Sequence, residues 1–312
     1  MSLVDFSDFK PSLTLYELSK NLKDFIKLYQ ISKFPKVLML SGEKGVGKFT
    51  LIYHFLAYHF DKKNYNLDKY QINNNSFFFN NFLNNVFPNI IYIKGSNFKN
   101  SKVEDIRKLK STILKTSISD NTRFIIFDDI ELLNTNSLNA LLKIIEEPSS
   151  KNNFILINNK RKKIIETIHS RSLEFKIILS NTRRLSIINS LIKKNDLETK
   201  KIDFKNSGIS PGNFLRFNNI CASYTIDIND DYLRNIILLI NLYKKEKNPD
   251  IIDMSLYLTN NYFYNLSQIK ATNLDKALED KSFIIKNINY FISFNINQNS
   301  LISAISNRFK NE

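Results

Sequence analysis

The most constraining feature of the sequence is a glycine-rich loop that directly follows an apolar strand. The run KVLMLSG reaches Gly42, and the loop continues through Gly45 and Gly47 to Lys48, where a helical pattern begins. In a strand–loop–helix unit of this kind, backbone N–H groups can surround phosphate oxygens and the lysine can reach the terminal phosphates. The sequence therefore predicts an α/β domain with a phosphate-binding site.

The position after the loop lysine departs from the usual pattern. A hydroxyl is expected there as a magnesium ligand, but the residue is Phe49. Thr50 follows one residue later, about 100° further round the helix. We keep Thr50 as a nucleotide-binding candidate, but the pattern does not predict turnover that depends on magnesium.

A second motif ends another apolar strand in two carboxylates. The segment RFIIFDDIE places Asp128 and Asp129 where P-loop enzymes hold Mg²⁺ and polarise water. Asp128 is the candidate metal-side carboxylate. Asp129 stands where an active ATPase carries a glutamate base, and its side chain is one methylene shorter. A solvent-facing acidic pair at a strand end is the alternative.

Strand and helix patterns alternate in the first half of the chain and give way to helices in the second. This alternation predicts a mostly parallel sheet with flanking helices, then a small helical lid and an all-α C-terminal domain. We expect domains at residues 1–178, 179–222 and 223–312. Residues 61–86 carry little periodic signal and read as an irregular insertion, whereas Ser101 and Glu104 have the spacing of a helix capping box.

Charge and composition indicate which partners and which cellular compartment to expect. The net charge is +15 and the pI is about 9.6, which favours polyanionic partners such as nucleic acid, although abundant Lys, Asn and Ile also follow from AT-rich codon usage. The single cysteine, Cys221, permits no internal disulfide. The longest apolar runs fall short of the roughly 20 residues that span a bilayer, and the first 20 residues lack a secretory pattern. We expect a cytoplasmic protein without a membrane span.

These motifs together resemble bacterial DNA polymerase III clamp-loader subunits of the AAA+ superfamily. The segments that carry the resemblance run from about residue 35 to 178 in the family's order: SGEKGVGK, SKVEDIRKLK, FIIFDDIELLNTNSLNALLKIIEEP, FILINN and HSRS. The resemblance implies that Arg171 acts on the nucleotide of an adjacent subunit and that Asn158 or Asn159 senses the γ-phosphate. It also implies ATP and Mg²⁺ as ligands. Because residues 61–86 contain no cysteine, we expect no zinc module.

Three departures favour one branch of that family. Besides Phe49 and Asp129, the lid lacks the second sensor arginine, since Gly212 or Asn213 stands in its place. In this respect the chain is similar to the delta-prime subunit, which supplies its arginine in trans without turning over ATP. The resemblance then implies a pentameric loader with gamma or tau and delta subunits, a sliding clamp and primed DNA as partners.

Three other functions are compatible with parts of the sequence. An active gamma/tau-like loader ATPase is favoured by the intact loop and disfavoured by the three departures. A branch-migration helicase would need its own hydroxyl after Lys48 and an intact lid arginine. A DNA-binding protein without enzymatic activity could use the positive charge and stack bases on Phe77, Phe78 and Phe79.

Overall fold

A computed structural model describes most of the chain. The described residues are 11–84, 86–95, 111, 113, 122–160, 162–195, 202–228, 230–268 and 274–310. The helix expected to open near Ser101 and Glu104 lies outside these ranges. The chain divides into two compact units, residues 1–187 and 188–312.

The first unit is built on a parallel sheet. Its described strands are β1 (Val37–Ser41), β4 (Ile90–Lys94), β5 (Arg123–Asp128), β6 (Asn152–Asn158) and β7 (Leu173–Lys176), in the order β4-β5-β6-β1-β7. Every pair in this sheet is parallel. The parallel α/β class predicted from the alternating patterns is therefore confirmed, and the glycine loop and the acidic pair both lie at the carboxyl ends of their strands.

Helices cover both faces of this sheet because alternate strand residues point to opposite sides. The described helices of the unit are α1 (Ser19–Gln30), α2 (Lys48–Phe60), α3 (Phe77–Leu83), α4 (Thr135–Ile145), α5 (Glu166–His169) and the start of α6 (Asn181–Asn195). Leu38 and Leu40 of β1 pack in the core beneath α1 and α2, whereas Val37 and Met39 belong to the core that contains the buried side of α4. All five β1 residues are buried, which explains their continuous apolar run.

Residues 61–84 of the insertion are ordered, so the expectation of irregular structure there was wrong. It contains a 3-10 turn (Lys62–Asn64), a two-stranded antiparallel pair of β2 (Tyr65–Asn66) and β3 (Gln71–Ile72), and α3. Phe78 and Phe82 are fully buried and pack around Tyr53 of α2, with ring centroids 5.4 and 4.7 Å away. Aromatic packing thus fixes this segment to the sheet domain. It also removes Phe78 as a candidate for stacking bases.

The second unit is helical throughout its described residues, as predicted. It contains the end of α6 and the helices α7 (Pro211–Tyr224), α8 (Tyr232–Glu246), α9 (Pro249–Ser267), α10 (Leu274–Phe294) and α11 (Gln298–Lys310). Proline occupies the first turn of α7 and α9, where its missing N–H costs no hydrogen bond. No helix among the described residues is long and apolar enough to span a membrane.

Candidate functional site

The glycine loop joins β1 to α2 at the carboxyl edge of the sheet. Gly47, at the N-terminus of α2, has a φ of 95°, and Gly45 has a φ of 90°. Residues with a side chain rarely adopt such angles, so the loop's path needs glycine at these two positions. The first N–H groups of an α-helix have no partner within the helix, and such groups can bind an anion. The loop therefore has the features of a phosphate cradle.

Lys48 begins α2 and folds back over this loop. Its Nζ donates hydrogen bonds to the carbonyl oxygens of Gly42, at 2.8 Å, and Glu43, at 2.7 Å. The side chain is only 3% exposed. Burial lowers the pKa of Lys48 to about 8, although four nearby carboxylates oppose that shift: Asp128, Glu131, Asp129 and Glu43. Lys48 therefore lies within the electrostatic range of both motifs.

Asp128 ends β5 and is already engaged by a neighbouring strand. The Tyr92 hydroxyl of β4 donates to Oδ2 of Asp128 at 2.9 Å, and the backbone N–H of Asp129 donates to its Oδ1 at 2.9 Å. Burial and the negative charge of Asp129 raise the pKa of Asp128 to about 6, against the opposing effect of these hydrogen bonds. Both oxygens of the candidate metal-side carboxylate thus have protein donors.

Asp129 follows in a left-handed backbone conformation, with a φ of 53°. Its backbone lies directly against Gly95, where an added Cβ would stand 2.1 Å from the Asp129 carbonyl oxygen. Its Oδ1 accepts a 2.6 Å hydrogen bond from Nδ2 of Asn159. The shape of the acidic pair therefore depends on a glycine at the end of the adjacent strand.

The end of β6 distinguishes the two candidate sensor amides. Oδ1 of Asn158 accepts from the N–H of Lys160 at 2.8 Å and closes a local turn. The side chain that contacts the acidic pair is that of Asn159. The Asn159 N–H also donates to the two carboxylate oxygens of Glu131, at 3.1 and 3.2 Å. Asn159 thus holds two carboxylates of the site.

The site includes residues that sequence reasoning did not select. Glu131 is buried, and its only sequence signal was an acidic side chain two positions after the aspartate pair. Tyr92 was a single hydroxyl in a strand that is otherwise apolar up to Lys94. Arg184 of α6 is buried and donates from Nε and Nη2 to Oδ1 of Asn181. Burial raises the pKa of Glu43, and the charges of Lys48 and Arg184 oppose that shift.

The residues present fit a phosphate better than they fit magnesium. Phe49 is 7% exposed and packs edge-on against Tyr92, with ring centroids 5.3 Å apart. An apolar ring therefore occupies the position from which a hydroxyl would contact the metal, and Tyr92 takes up Oδ2 of Asp128. Thr50 is half-buried one residue further along α2. Hard divalent cations need oxygen ligands, and this part of the site offers few that are free.

Arg171 lies away from these groups, in the turn between α5 and β7. Its Nη2 is 2.8 Å from Oε1 of Glu146, and its Nη1 donates to the carbonyl oxygen of Thr167 at 3.2 Å and to Oγ of Ser170 at 3.3 Å. The Arg171 side chain is 36% exposed. Ile165 and Leu173, which flank the turn, are exposed apolar side chains. The Arg171 guanidinium is thus accessible from the surface of this unit.

Residues 18–180 match the family model described as DNA polymerase III, delta subunit. The chain is also 30% identical over 167 residues to the DNA polymerase III subunit gamma of Buchnera aphidicola subsp. Schizaphis graminum, a match that covers 53% of this chain and 45% of that protein. It is 25% identical over 201 residues to the subunit delta' of the same organism, covering 64% of this chain and 57% of the relative. The chain thus spans about half the length of these curated relatives.

Solved structures with a similar chain path include a DNA polymerase III gamma subunit-related protein from Thermotoga maritima. It matches with a TM-score of 0.47 and 14% identity, over 91% of this chain and 98% of the other. The RuvB Holliday junction branch migration motor of Thermotoga maritima matches with a TM-score of 0.42 and 15% identity, over 95% and 85% of the two chains.

Proposed function

The chain belongs to the DNA polymerase III delta subunit family of AAA+ clamp-loader subunits, and we propose that it is a delta-prime-like subunit that supplies Arg171 to a neighbouring ATP site. In this role it helps to load a sliding clamp onto primed DNA. Its partners are gamma or tau subunits, the delta subunit, the clamp and the primed template, and its setting is the cytoplasm.

The position of Arg171 along the sheet is the observation that supports this role most directly. β1 and β7 are parallel, with Leu38 paired to Leu173 and Ser41 paired to Lys176. Arg171 precedes the start of β7, whereas the phosphate loop follows the end of β1. In this register Arg171 stands six residues before Gly42, the first residue of the phosphate loop. At about 3.3 Å per residue, six residues correspond to a separation of roughly 20 Å along the strand direction. An arginine side chain cannot reach across that distance, so any nucleotide phosphate that Arg171 contacts would belong to another chain.

The contacts around the acidic strand support a subunit that does not hydrolyse ATP itself. Phe49 removes the hydroxyl ligand, and Tyr92 occupies one oxygen of Asp128. Asp129 has a shorter reach than a glutamate base would have, and a small displacement of such a group costs a large factor in rate. The loop and Lys48 still suit nucleotide phosphates. We therefore expect ATP binding to be retained more readily than ATP turnover.

An arginine supplied in trans acts on charge that develops during phosphoryl transfer. It stabilises the equatorial oxygens of the transferred group and typically changes the rate by about 10³ to 10⁵. The Arg171 guanidinium would make that contribution at a neighbour's nucleotide. Turnover at that site would then depend on this chain even if its own site were inactive.

An active gamma/tau-like ATPase remains the second candidate. It is favoured by the intact loop geometry at Gly45, Gly47 and Lys48 and by the similarity to a relative named gamma. It requires that Thr50 or water replace the missing hydroxyl. The two candidates differ in which substitution of this chain stops ATP turnover.

The test is a reconstituted loader in which only this chain is varied. ATP turnover stimulated by clamp and primed DNA is compared for wild type, Arg171→Ala and Lys48→Ala, with Arg183→Ala as a matched control. Arg183 is also an exposed arginine of the same unit, and its Nε is 4.0 Å from Oε2 of Glu17. We expect a severe loss with Arg171→Ala and little change with Arg183→Ala. A loss with Lys48→Ala while Arg171→Ala stays active would instead establish the chain as a working ATPase.

A further inference from the structure

We infer that Glu146 is a positioning residue that holds Arg171 in the orientation from which it contacts a neighbour's nucleotide. This inference rests on the trans role proposed for Arg171. It concerns a carboxylate that the acidic-strand and glycine-loop motifs do not include. The contact joins the end of α4 to the turn after α5.

Glu146 is held at a rigid point of the fold. It lies immediately after α4, and its N–H donates to the Leu142 carbonyl oxygen at 3.0 Å. The preceding residues of the helix, Ile144 and Ile145, are buried in the core beneath the sheet. The backbone that carries the carboxylate therefore cannot shift without disturbing buried side chains. A charged partner on a fixed helix end restricts the guanidinium more than a loop residue would.

The three contacts of Arg171 use only some of the N–H donors of its guanidinium group. Guanidinium groups carry five N–H donors in a fixed plane. Glu146 contacts Nη2, and Thr167 and Ser170 accept from Nη1. Nε has no acceptor among the residues that the structure describes. The Glu146 pair thus leaves donors for a phosphate oxygen while it limits the rotamers of a long side chain, and a pre-organised donor loses less entropy when the anion arrives.

The expected size of the effect is modest because the pair is exposed. The Glu146 and Arg171 side chains are 43% and 36% exposed. Solvent-screened ion pairs of this kind alter equilibria by about two- to fivefold. Removal of Glu146 should therefore slow turnover far less than removal of Arg171 itself. This ordering separates a positioning residue from a group that contacts the transferred phosphoryl.

The contact can be tested on the full chain alone. Arginine-labelled protein gives an Nε–Hε NMR signal for Arg171, which Arg171→Lys identifies by its loss. Glu146→Ala is expected to shift this signal and increase its fast motion, whereas Glu147→Ala, an equal charge change at the adjacent exposed residue, should leave it unchanged. An unaltered Arg171 signal in Glu146→Ala would overturn the inference.

The functional consequence is measured in the reconstituted loader. Glu146→Ala should lower the kcat of ATP hydrolysis about two- to fivefold with an unchanged KM, because the arginine acts on the transition state. Glu146→Gln, which keeps an acceptor without the charge, should fall between it and wild type. In an Arg171→Ala background, measured under single-turnover conditions, Glu146→Ala should cause no further loss.

The outcomes separate the two proposals. If Arg171→Ala leaves turnover intact, the trans role is wrong. If Arg171→Ala is severely impaired but Glu146→Ala equals Glu147→Ala, only the positioning role is wrong. A loss with Glu146→Ala that persists in the Arg171→Ala background would show that the carboxylate acts independently of Arg171, which also overturns the inference.

Discussion

The Tyr92 hydroxyl donates a 2.9 Å hydrogen bond to Oδ2 of Asp128, so the carboxylate expected to bind metal is already bound by protein. Phe49 packs against the same tyrosine ring. The Phe49 ring and the Tyr92 hydroxyl, which both disfavour a metal ion at Asp128, are therefore packed against each other. Restoring a metal ligand at Phe49 also removes the ring that supports Tyr92.

This relationship predicts the effect of changing Phe49. Phe49→Thr supplies the missing hydroxyl and should make nucleotide binding stronger with Mg²⁺ than with EDTA, whereas wild type should bind about equally in both. Phe49→Val is the matched control, because valine has the shape of threonine without the hydroxyl. Isothermal titration of all three proteins measures the difference. Equal responses of the threonine and valine variants would contradict the prediction.

Asp128 should make folding stability depend on pH in an unusual direction. Its pKa is raised to about 6 in the folded chain from an ordinary value of 3.8, so the folded state holds this proton more tightly than the unfolded state does. The carboxyl therefore favours folding below about pH 4, and that contribution is lost as the pH rises towards 6.

Asp128→Asn removes this titration. Its free energy of unfolding relative to wild type should increase between pH 4 and pH 7 by about 2 to 3 kcal/mol. Urea unfolding at several pH values measures it, with Asp68→Asn as a control at an exposed carboxylate. A difference between Asp128→Asn and wild type that stays constant with pH would exclude this explanation.

Nucleotide affinity should fall as the pH rises through 8. Burial lowers the pKa of Lys48 to about 8, so the free site loses its main positive charge above that value. A bound phosphate favours the protonated form, and the dissociation constant should therefore be flat below pH 8 and rise above it. Titrations from pH 6.5 to 9 measure this, and Lys48→Ala should bind weakly with no such inflection. A flat wild-type profile would mean that Lys48 remains charged.

Gly95 should be intolerant of any side chain. A Cβ there would stand 2.1 Å from the Asp129 carbonyl oxygen, so Gly95→Ala must displace the backbone of the acidic pair. We expect a loss of about 1 to 3 kcal/mol in the free energy of unfolding, as for other overpacked sites. Lys94→Ala, at the preceding position, is the control in the same urea experiment. Equal stability of the two variants would show that the strand end adjusts freely.

The main elements of the sheet domain could be predicted because parallel strands that are buried on both faces have continuous apolar sequences. β1, β5 and β6 contain continuous apolar runs, and Gly42 follows the first while Asp128 and Asn158 end the other two. β7 was not recognised, because the edge strand alternates apolar and charged residues over only four positions. Residues 61–86 were misread because their buried phenylalanines stand among asparagines, which form turns here and are typical of loops.

Within the site, the motifs could be predicted from the sequence, but the contacts between their side chains could not. Asn158 and Asn159 are adjacent and chemically identical, and only the turn closed by Lys160 determines which amide faces Asp129. The bond from Tyr92 to Asp128 joins neighbouring strands 36 positions apart in the chain, and no local pattern encodes it. Contacts of this kind depend on sheet order and register.

The parallel pairing of β1 and β7 also affects how such a sequence can evolve. Because Arg171 precedes its strand and the phosphate loop follows its own, no described hydrogen bond joins the two groups of residues. A change at Phe49 would act at the phosphate-loop edge and would leave every described contact of Arg171 in place. Substitutions near the phosphate loop and substitutions near Arg171 can therefore accumulate independently of each other.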